Sequence, residues 1–416
     1  MKLTKLYIHN YKSFYDTTIE LDKLNIVVGE NNSGKSNLID VLEFIDIAMS
    51  KDIERAIDDK GGYDKIKNYS AVGEEKVVVR ATFEQINRQG SSALYDKYVI
   101  FLENQHELVL SLSFSKKYSI VTVYVEADIK YSEHESIDRV LENLKSVSSL
   151  VQNSLTQNIK FIFSHKKYFK QKKEIKKIFF CSKDLEEKIK NNIEDRVDFF
   201  FPIKADYFST YYFNAQSIRT LSNQDSKYSE LLKDGSNLGK VLYGIKEKDK
   251  NKFKVISNSL IITVNEIDAV EVQKVLGSYA LGFKERGIEP ISIHTVSDGT
   301  INFLATMVAL NQPIDKSFML VFEEPERHLH LNAVSYMLQA FRDSQKQIII
   351  TTHSTEIIKY ADLKEVVFIY RDSDGDTQSI RADAIPNLGK KMKRLAYERD
   401  VTLDELIAEG MMGTFE

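Results

Sequence analysis

The feature that most limits what this chain can become is the run Gly29-Glu30-Asn31-Asn32-Ser33-Gly34-Lys35-Ser36, which matches G-x-x-x-x-G-K-[ST] in full. Its flanks have different periodicities. Upstream, Leu24 to Val28 (LNIVV) is a short continuous apolar run, the pattern of a strand covered on both faces. Downstream, Leu38, Val41, Leu42, Ile45 and Met49 recur at steps of three and four, the pattern of a helix with one apolar face. A strand, a glycine turn and a helix in that order aim backbone N–H groups and the positive end of a helix at one point, which is a site for phosphate oxygens. Lys35 is placed to reach β- and γ-phosphates and Ser36 to ligate Mg²⁺. Asn31, Asn32, Ser33 and Asn37 complete the candidate nucleotide contacts with Gly29 and Gly34.

The same alternation returns late in the chain. Phe318 to Phe322 (FMLVF), Gln347 to Thr352 (QIIITT) and Val366 to Tyr370 (VVFIY) read as buried strands. Val334, Met337, Leu338 and Phe341 line one face of a helix between the first two. Alternating strands and helices of this kind predict an α/β fold with parallel strands at its centre. The first of these strands runs into Glu323-Glu324-Pro325-Glu326, and carboxylates at the C-terminal end of such a strand lie in the ligand crevice. Glu323 is expected at the metal and Glu324 at the attacking water. Two further motifs have two readings each. Ser297-Asp298-Gly299-Thr300 opens a helix, where Ser297 or Asp298 either caps the helix or, with Gly299, forms an anion site. His353, closing Thr351-Thr352-His353-Ser354, is either structural or a contact to the γ-phosphate.

Gly34 and Glu323 are far apart in a chain of 416 residues, more than a compact nucleotide domain needs between neighbouring strands, so a large insertion is expected. Residues 1–84 and 200–416 are read as a split head and residues 85–199 as an inserted lobe. Alternating stretches such as VVVRATFE and SIVTVYVE predict antiparallel strands within about 77–129. Ile137, Leu141, Leu144, Val147, Val151 and Leu155 predict an amphipathic helix over 135–158, with a shorter partner near 182–196. The lysine-rich segment 160–177, which also holds Tyr168 and Phe169, reads either as a path for a nucleic-acid backbone or as a solvated helix face.

Composition narrows the partners. With 57 basic against 61 acidic residues the formal net charge is −4, so nucleic acid could be met only by a local patch. A single cysteine, Cys181, excludes an internal disulfide and a thiolate metal cage. The N-terminal MKLTKLYIHNYKSF has no apolar signal core, and no apolar run approaches the ~20 residues that span a bilayer, so a cytoplasmic protein without a membrane partner is expected.

The order phosphate loop, long insertion, SDGT, EEPE and TTHS resembles the ATP-binding cassette ATPase heads of the RecF, SMC and OLD group, closest to single-chain bacterial AAA-type ATPases. The opening KLTKLYIHNYKSFYDTTIEL and the stretch DGSNLGKVLYGI at 234–245 are similar to that group as well. The resemblance implies a P-loop head with a mixed sheet, an antiparallel β subdomain and an inserted helical lobe, using ATP and Mg²⁺. It implies that two heads sandwich ATP, as a homodimer or higher oligomer. Ser297, Asp298 and Gly299 would then form the signature facing the partner's γ-phosphate, Glu324 would be the catalytic glutamate and His353 the switch histidine. Gly61-Gly62-Tyr63-Asp64 lies where such heads carry their Q-loop, without a matching glutamine.

Two departures stand out: Glu323 occupies the place of the usual aspartate, and SDGT replaces SGGQ, against a transporter subunit. The helices predicted in the insertion are too short for an SMC arm. Asp372-Ser373-Asp374-Gly375-Asp376 reads as a hairpin turn and not as the Asp-x-Asp of a Toprim nuclease. The expected function is an ATPase whose head dimerisation senses a trigger and controls a separate nuclease or toxin in anti-phage defence. The alternative is a RecF-like DNA-maintenance ATPase with ATP-dependent DNA binding.

Overall fold

The computed structural model describes residues 2–51, 53–70, 76–84, 107–114, 118–130, 156–168, 173–180, 208–220, 230–312 and 317–385. In chain order the first elements are β1 (Lys2–Tyr11), β2 (Phe14–Glu20), β3 (Leu24–Val28), α1 (Lys35–Ser50), α2 (Ile53–Asp59), α3 (Tyr63–Ile66) and β4 (Val77–Glu84). Then come β5 (Glu107–Phe114), β6 (Tyr118–Lys130), β7 (Thr156–Tyr168), β8 (Lys173–Phe180), β9 (Phe208–Tyr211), α4 (Ala215–Arg219), α5 (Leu238–Lys248) and α6 (Lys250–Thr263). The last are β10 (Ile267–Val275), β11 (Ser278–Glu285), β12 (Ile288–Ser292), α7 (Asp298–Asn311), β13 (Met319–Glu323), α8 (Leu331–Asp343), β14 (Gln347–Thr352), α9 (Thr355–Lys359), β15 (Val366–Arg371) and β16 (Thr377–Arg381).

These elements form two compact units. One holds residues 1–22, 40–207 and 371–378, the other residues 23–39, 208–370 and 379–416. The first is built on a seven-stranded antiparallel sheet of order β2-β1-β4-β5-β6-β7-β8. One of its polar nodes is Asp40, on the second turn of α1. Asp40 accepts from the Tyr11 hydroxyl at 2.8 Å and lies 2.5 Å from Lys12 Nζ and 2.7 Å from Lys60 Nζ. The loop Asp372–Asp376 is a tight turn: the Gly375 N–H donates to the Asp372 carbonyl at 3.0 Å. Asp372 Oδ1 accepts the N–H groups of Asp374 and Asp376, so that carboxylate is engaged in its own turn.

The second unit holds a six-stranded sheet of order β16-β15-β3-β14-β13-β9, in which β9, β13, β14, β3 and β15 pair in parallel, and a three-stranded antiparallel sheet of order β10-β11-β12. Every residue of β3 and β14 is buried, as a strand with neighbours on both sides and layers on both faces requires. Helix α7 is buried nearly all round, from Gly299 to Ala309, so it runs through the core. Helix α8 buries Ala333, Val334, Met337, Leu338 and Phe341, the stripe its spacing predicts. Between helix and sheet the Phe322 ring lies 5.3 Å from Tyr211 and 5.1 Å from Phe341.

One expectation fails. The described parts of the basic segment are not a helix face: residues 156–168 and 173–180 form β7 and β8, paired with His165 opposite Lys176 and Ser164 opposite Lys177. The helix expected over 135–158 is overturned at its end, where residues 156–158 begin β7, and the rest of it lies outside the described residues. The helix expected near 182–196 also lies outside them.

Candidate functional site

The site is assembled at the C-terminal ends of three adjacent parallel strands. Register puts Thr352 of β14 beside Val28 of β3, and Glu323 of β13 beside Thr351 of β14. The phosphate loop follows directly on Val28, so the loop, the acidic residues and His353 emerge from neighbouring strands at one edge of the sheet. This is the edge where open parallel sheets bind ligands.

The loop has little freedom in sequence. A Cβ on Gly29 would meet the Ile369 carbonyl oxygen at 2.2 Å and Ser33 Oγ at 2.5 Å, so β15 presses on the backbone there. Gly34 has φ 117°, a left-handed conformation that favours glycine, and Asn32 has φ 67°. The Ser33 N–H donates to the Glu30 carbonyl at 3.2 Å, and the Leu38 N–H to the Gly34 carbonyl at 2.9 Å, which starts α1. Ser33, Gly34 and Lys35 are buried, while Asn31, Asn32 and Ser36 are exposed and Asn37 is half-buried. Lys35 curls back over the loop, donating to the carbonyls of Gly29 and Glu30, each at 2.7 Å. Burial lowers its pKa, and the charges of Glu324, Glu30 and Glu323 act in the opposite sense. The lysine and the acidic strand end thus share one electrostatic neighbourhood.

Glu323 and Glu324 are half-buried. Glu324 leaves the strand with φ 45°, unusual for a side-chain-bearing residue. Its N–H donates to the Thr351 carbonyl at 2.9 Å, and its carbonyl accepts from the Arg327 N–H at 3.1 Å. Its Oε1 lies 3.2 Å from Nε2 of His353, an exposed side chain.

Residues 24–359 match the family described as "AAA domain, putative AbiEii toxin, Type IV TA system". The chain belongs to that family. Among solved structures it is similar to an SMC head domain from Thermotoga maritima (13% identity, 92% of this chain and 99% of that one, TM-score 0.42). It is similar also to an SMC head bound to the C-winged helix domain of ScpA (16% identity, 91% and 98%, TM-score 0.44). A third is an Smc head domain with an extended coiled coil bound to the C-terminal domain of ScpA, derived from Pyrococcus furiosus (13% identity, 96% and 99%, TM-score 0.43). No curated protein matches the chain. The fold is that of an α/β AAA-type domain with parallel and antiparallel sheet.

In this AAA-family chain the Ser297-Asp298-Gly299-Thr300 motif starts α7. Ser297 is exposed, and its Oγ accepts the Thr300 N–H at 3.1 Å, so it caps its own helix. Gly299 is pressed against the loop that follows Glu324: a Cβ there would lie 2.0 Å from the His328 carbonyl oxygen. Arg219, at the end of α4, holds the motif from the other side. Its Nη1 lies 2.6 Å from Asp298 Oδ1, and its Nη2 donates to the Val296 carbonyl at 2.9 Å. Sequence reasoning missed Arg219, because nothing at residue 219 signals a partner nearly eighty positions away. It also missed the bond by which the Thr352 hydroxyl donates to the buried carboxyl of Glu326.

The residues fit a nucleotide with a divalent ion. The glycine cradle has no room for a Cβ at Gly29, and α1 begins where the loop closes, so its first-turn N–H groups serve an anion. Among the described residues no group of three His, Cys, Asp or Glu side chains could by itself hold a metal. Among the described residues no helix is long and apolar enough to cross a membrane.

Proposed function

We propose that the chain binds ATP with Mg²⁺ and hydrolyses it at the strand edge, and that two copies close around the nucleotide. The observation that carries this reading is the convergence of Lys35, Glu323, Glu324 and His353 from three neighbouring strand ends and the loop between them. Lys35 would exchange its two loop carbonyls for β- and γ-phosphate oxygens. Ser36 and Glu323 would hold the ion, directly or through water; the ion supplies charge neutralisation on the phosphates. Glu324 would orient and deprotonate the attacking water, and His353, facing it, would contact the γ-phosphate side. Ser297 and Asp298, exposed and half-exposed at the start of α7, would meet the triphosphate of a second copy.

In this reading the closed and open head states control a separate effector, a nuclease or toxin, in anti-phage defence in the cytoplasm. The family's description, which names a putative toxin and a type IV system, supports a place in a toxin system. The second reading, a RecF-like DNA-maintenance ATPase, draws on the basic segment 160–177, in which Lys160, Lys166, Lys167, Lys173, Lys176 and Lys177 fall on two neighbouring strands. Hydrolysis by wild type and Glu324→Gln, with and without duplex DNA, separates the readings. ATP turnover lost in the variant and indifferent to DNA supports the first. DNA-stimulated turnover supports the second, and equal background rates contradict both.

A further inference from the structure

We propose that Glu326, acting through Thr352, is a positioning residue for hydrolysis that fixes Glu324 against His353. The inference rests on the ATPase reading and deepens it.

The two strand ends form a closed ring. Glu324 and His353 face each other at 3.2 Å. Two residues after Glu324, the carboxyl of Glu326 accepts the hydroxyl of Thr352. The same Thr352 oxygen accepts the Ser354 N–H at 2.8 Å, so its side chain spans His353 and pins the backbone on both sides of it. The ring is closed on one side by buried Pro325, whose φ is fixed, and on the other by the peptide from Thr352 to His353. The Glu326–Thr352 bond thus ties the backbone on either side of His353 to the segment that carries Glu324.

The chemistry of this bond is costly, which argues for a role. Thr352 is 0% and Glu326 8% exposed, and Glu326 Oε2 is buried without a hydrogen-bond partner. An apolar residue of similar volume would avoid that penalty. The strained φ of Glu324 is a second cost, and such strain persists only where surrounding bonds over-determine it. Both residues are buried, and the Thr352 hydroxyl is engaged with Glu326 and with the Ser354 N–H. Their effect would be felt in the alignment of Glu324 and His353, where a displacement of ~1 Å costs up to about 10²-fold in rate.

The test uses the full chain, with steady-state ATP hydrolysis and separate equilibrium binding of ATP–Mg²⁺. Glu326→Ala and Thr352→Val are expected to lower kcat by about 10- to 100-fold while the Kd for ATP–Mg²⁺ changes by less than about threefold. Glu326→Gln keeps the acceptor and Thr352→Ser keeps the hydroxyl, and both are expected to recover most of kcat. Thermal melts check folding, and the two rescue variants keep the test decisive if an alanine or valine variant misfolds. An unchanged kcat in Glu326→Ala, a parallel loss of affinity, or conservative variants as impaired as the truncations would overturn the inference. A wild type without turnover overturns the ATPase reading and this inference with it. A wild type that is sensitive to Glu324→Gln and indifferent to Glu326 and Thr352 overturns the inference alone.

Discussion

Glu326 also offers a thermodynamic test that needs no nucleotide. Burial pushes its pKa up from 4.5 to about 7; the bond from Thr352 works against that rise, and the charge of Glu324 adds to it. A carboxyl raised in the folded state keeps its proton over a window where the unfolded chain has lost it. Stability is therefore undiminished below the unfolded value of 4.5, falls as pH rises from there, and reaches its full loss above about 7. At 1.36 kcal/mol per pKa unit, the full loss is about 3 kcal/mol. Glu326→Gln carries no ionisable proton, and whatever constant cost its amide brings does not depend on pH. Its stability relative to wild type should thus improve by about 2.5 kcal/mol between pH 5 and pH 8. Paired denaturation curves of the two proteins across that range are the assay. A difference that stays constant with pH would refute a buried, proton-holding carboxyl at this position.

Three further outcomes follow from the geometry. Lys35→Ala should lose measurable ATP–Mg²⁺ binding in an equilibrium titration, since the residue is the buried cation at the phosphate loop; retained affinity would count against the loop as the nucleotide site. Gly299→Ala should force the start of α7 away from the His328 carbonyl and cost about 1–3 kcal/mol in a melt. It should also weaken ATP-driven association if that motif meets a second copy. Arg219→Ala should loosen the segment before α7, raising amide exchange at Val296 to Thr300 while leaving ATP binding to the isolated loop intact.

Much of the parallel unit was legible in the sequence because each central strand is a short apolar run that ends in chemistry. LNIVV ends in the glycine loop, MLVFE in carboxylates and QIIITT in the histidine. Burial on both faces leaves no alternation to confuse with a surface strand. The basic segment misled for the opposite reason. Lys166, Lys170, Lys173 and Lys177 are spaced by three and four, which imitates a helical face, yet Phe161, Ile162, Phe163 and Tyr168 are the aromatic and β-branched residues that strands favour, and they lie in β7. The ring through Glu326 and Thr352 could not be read from sequence, since it depends on the register of β13 beside β14 and on which side chains turn inward at their ends. Both residues stand within motifs that were read for other members, Glu324 and His353.

The central claim is that this strand edge turns over ATP between two closed copies, and Glu324→Gln tests it most directly. Light scattering of the purified variant with ATP and Mg²⁺ should show a stable dimer or larger assembly, with hydrolysis at background. Wild type should show the same species only transiently as it consumes ATP. A variant that stays monomeric with saturating ATP, or that hydrolyses it as fast as wild type, would contradict the account.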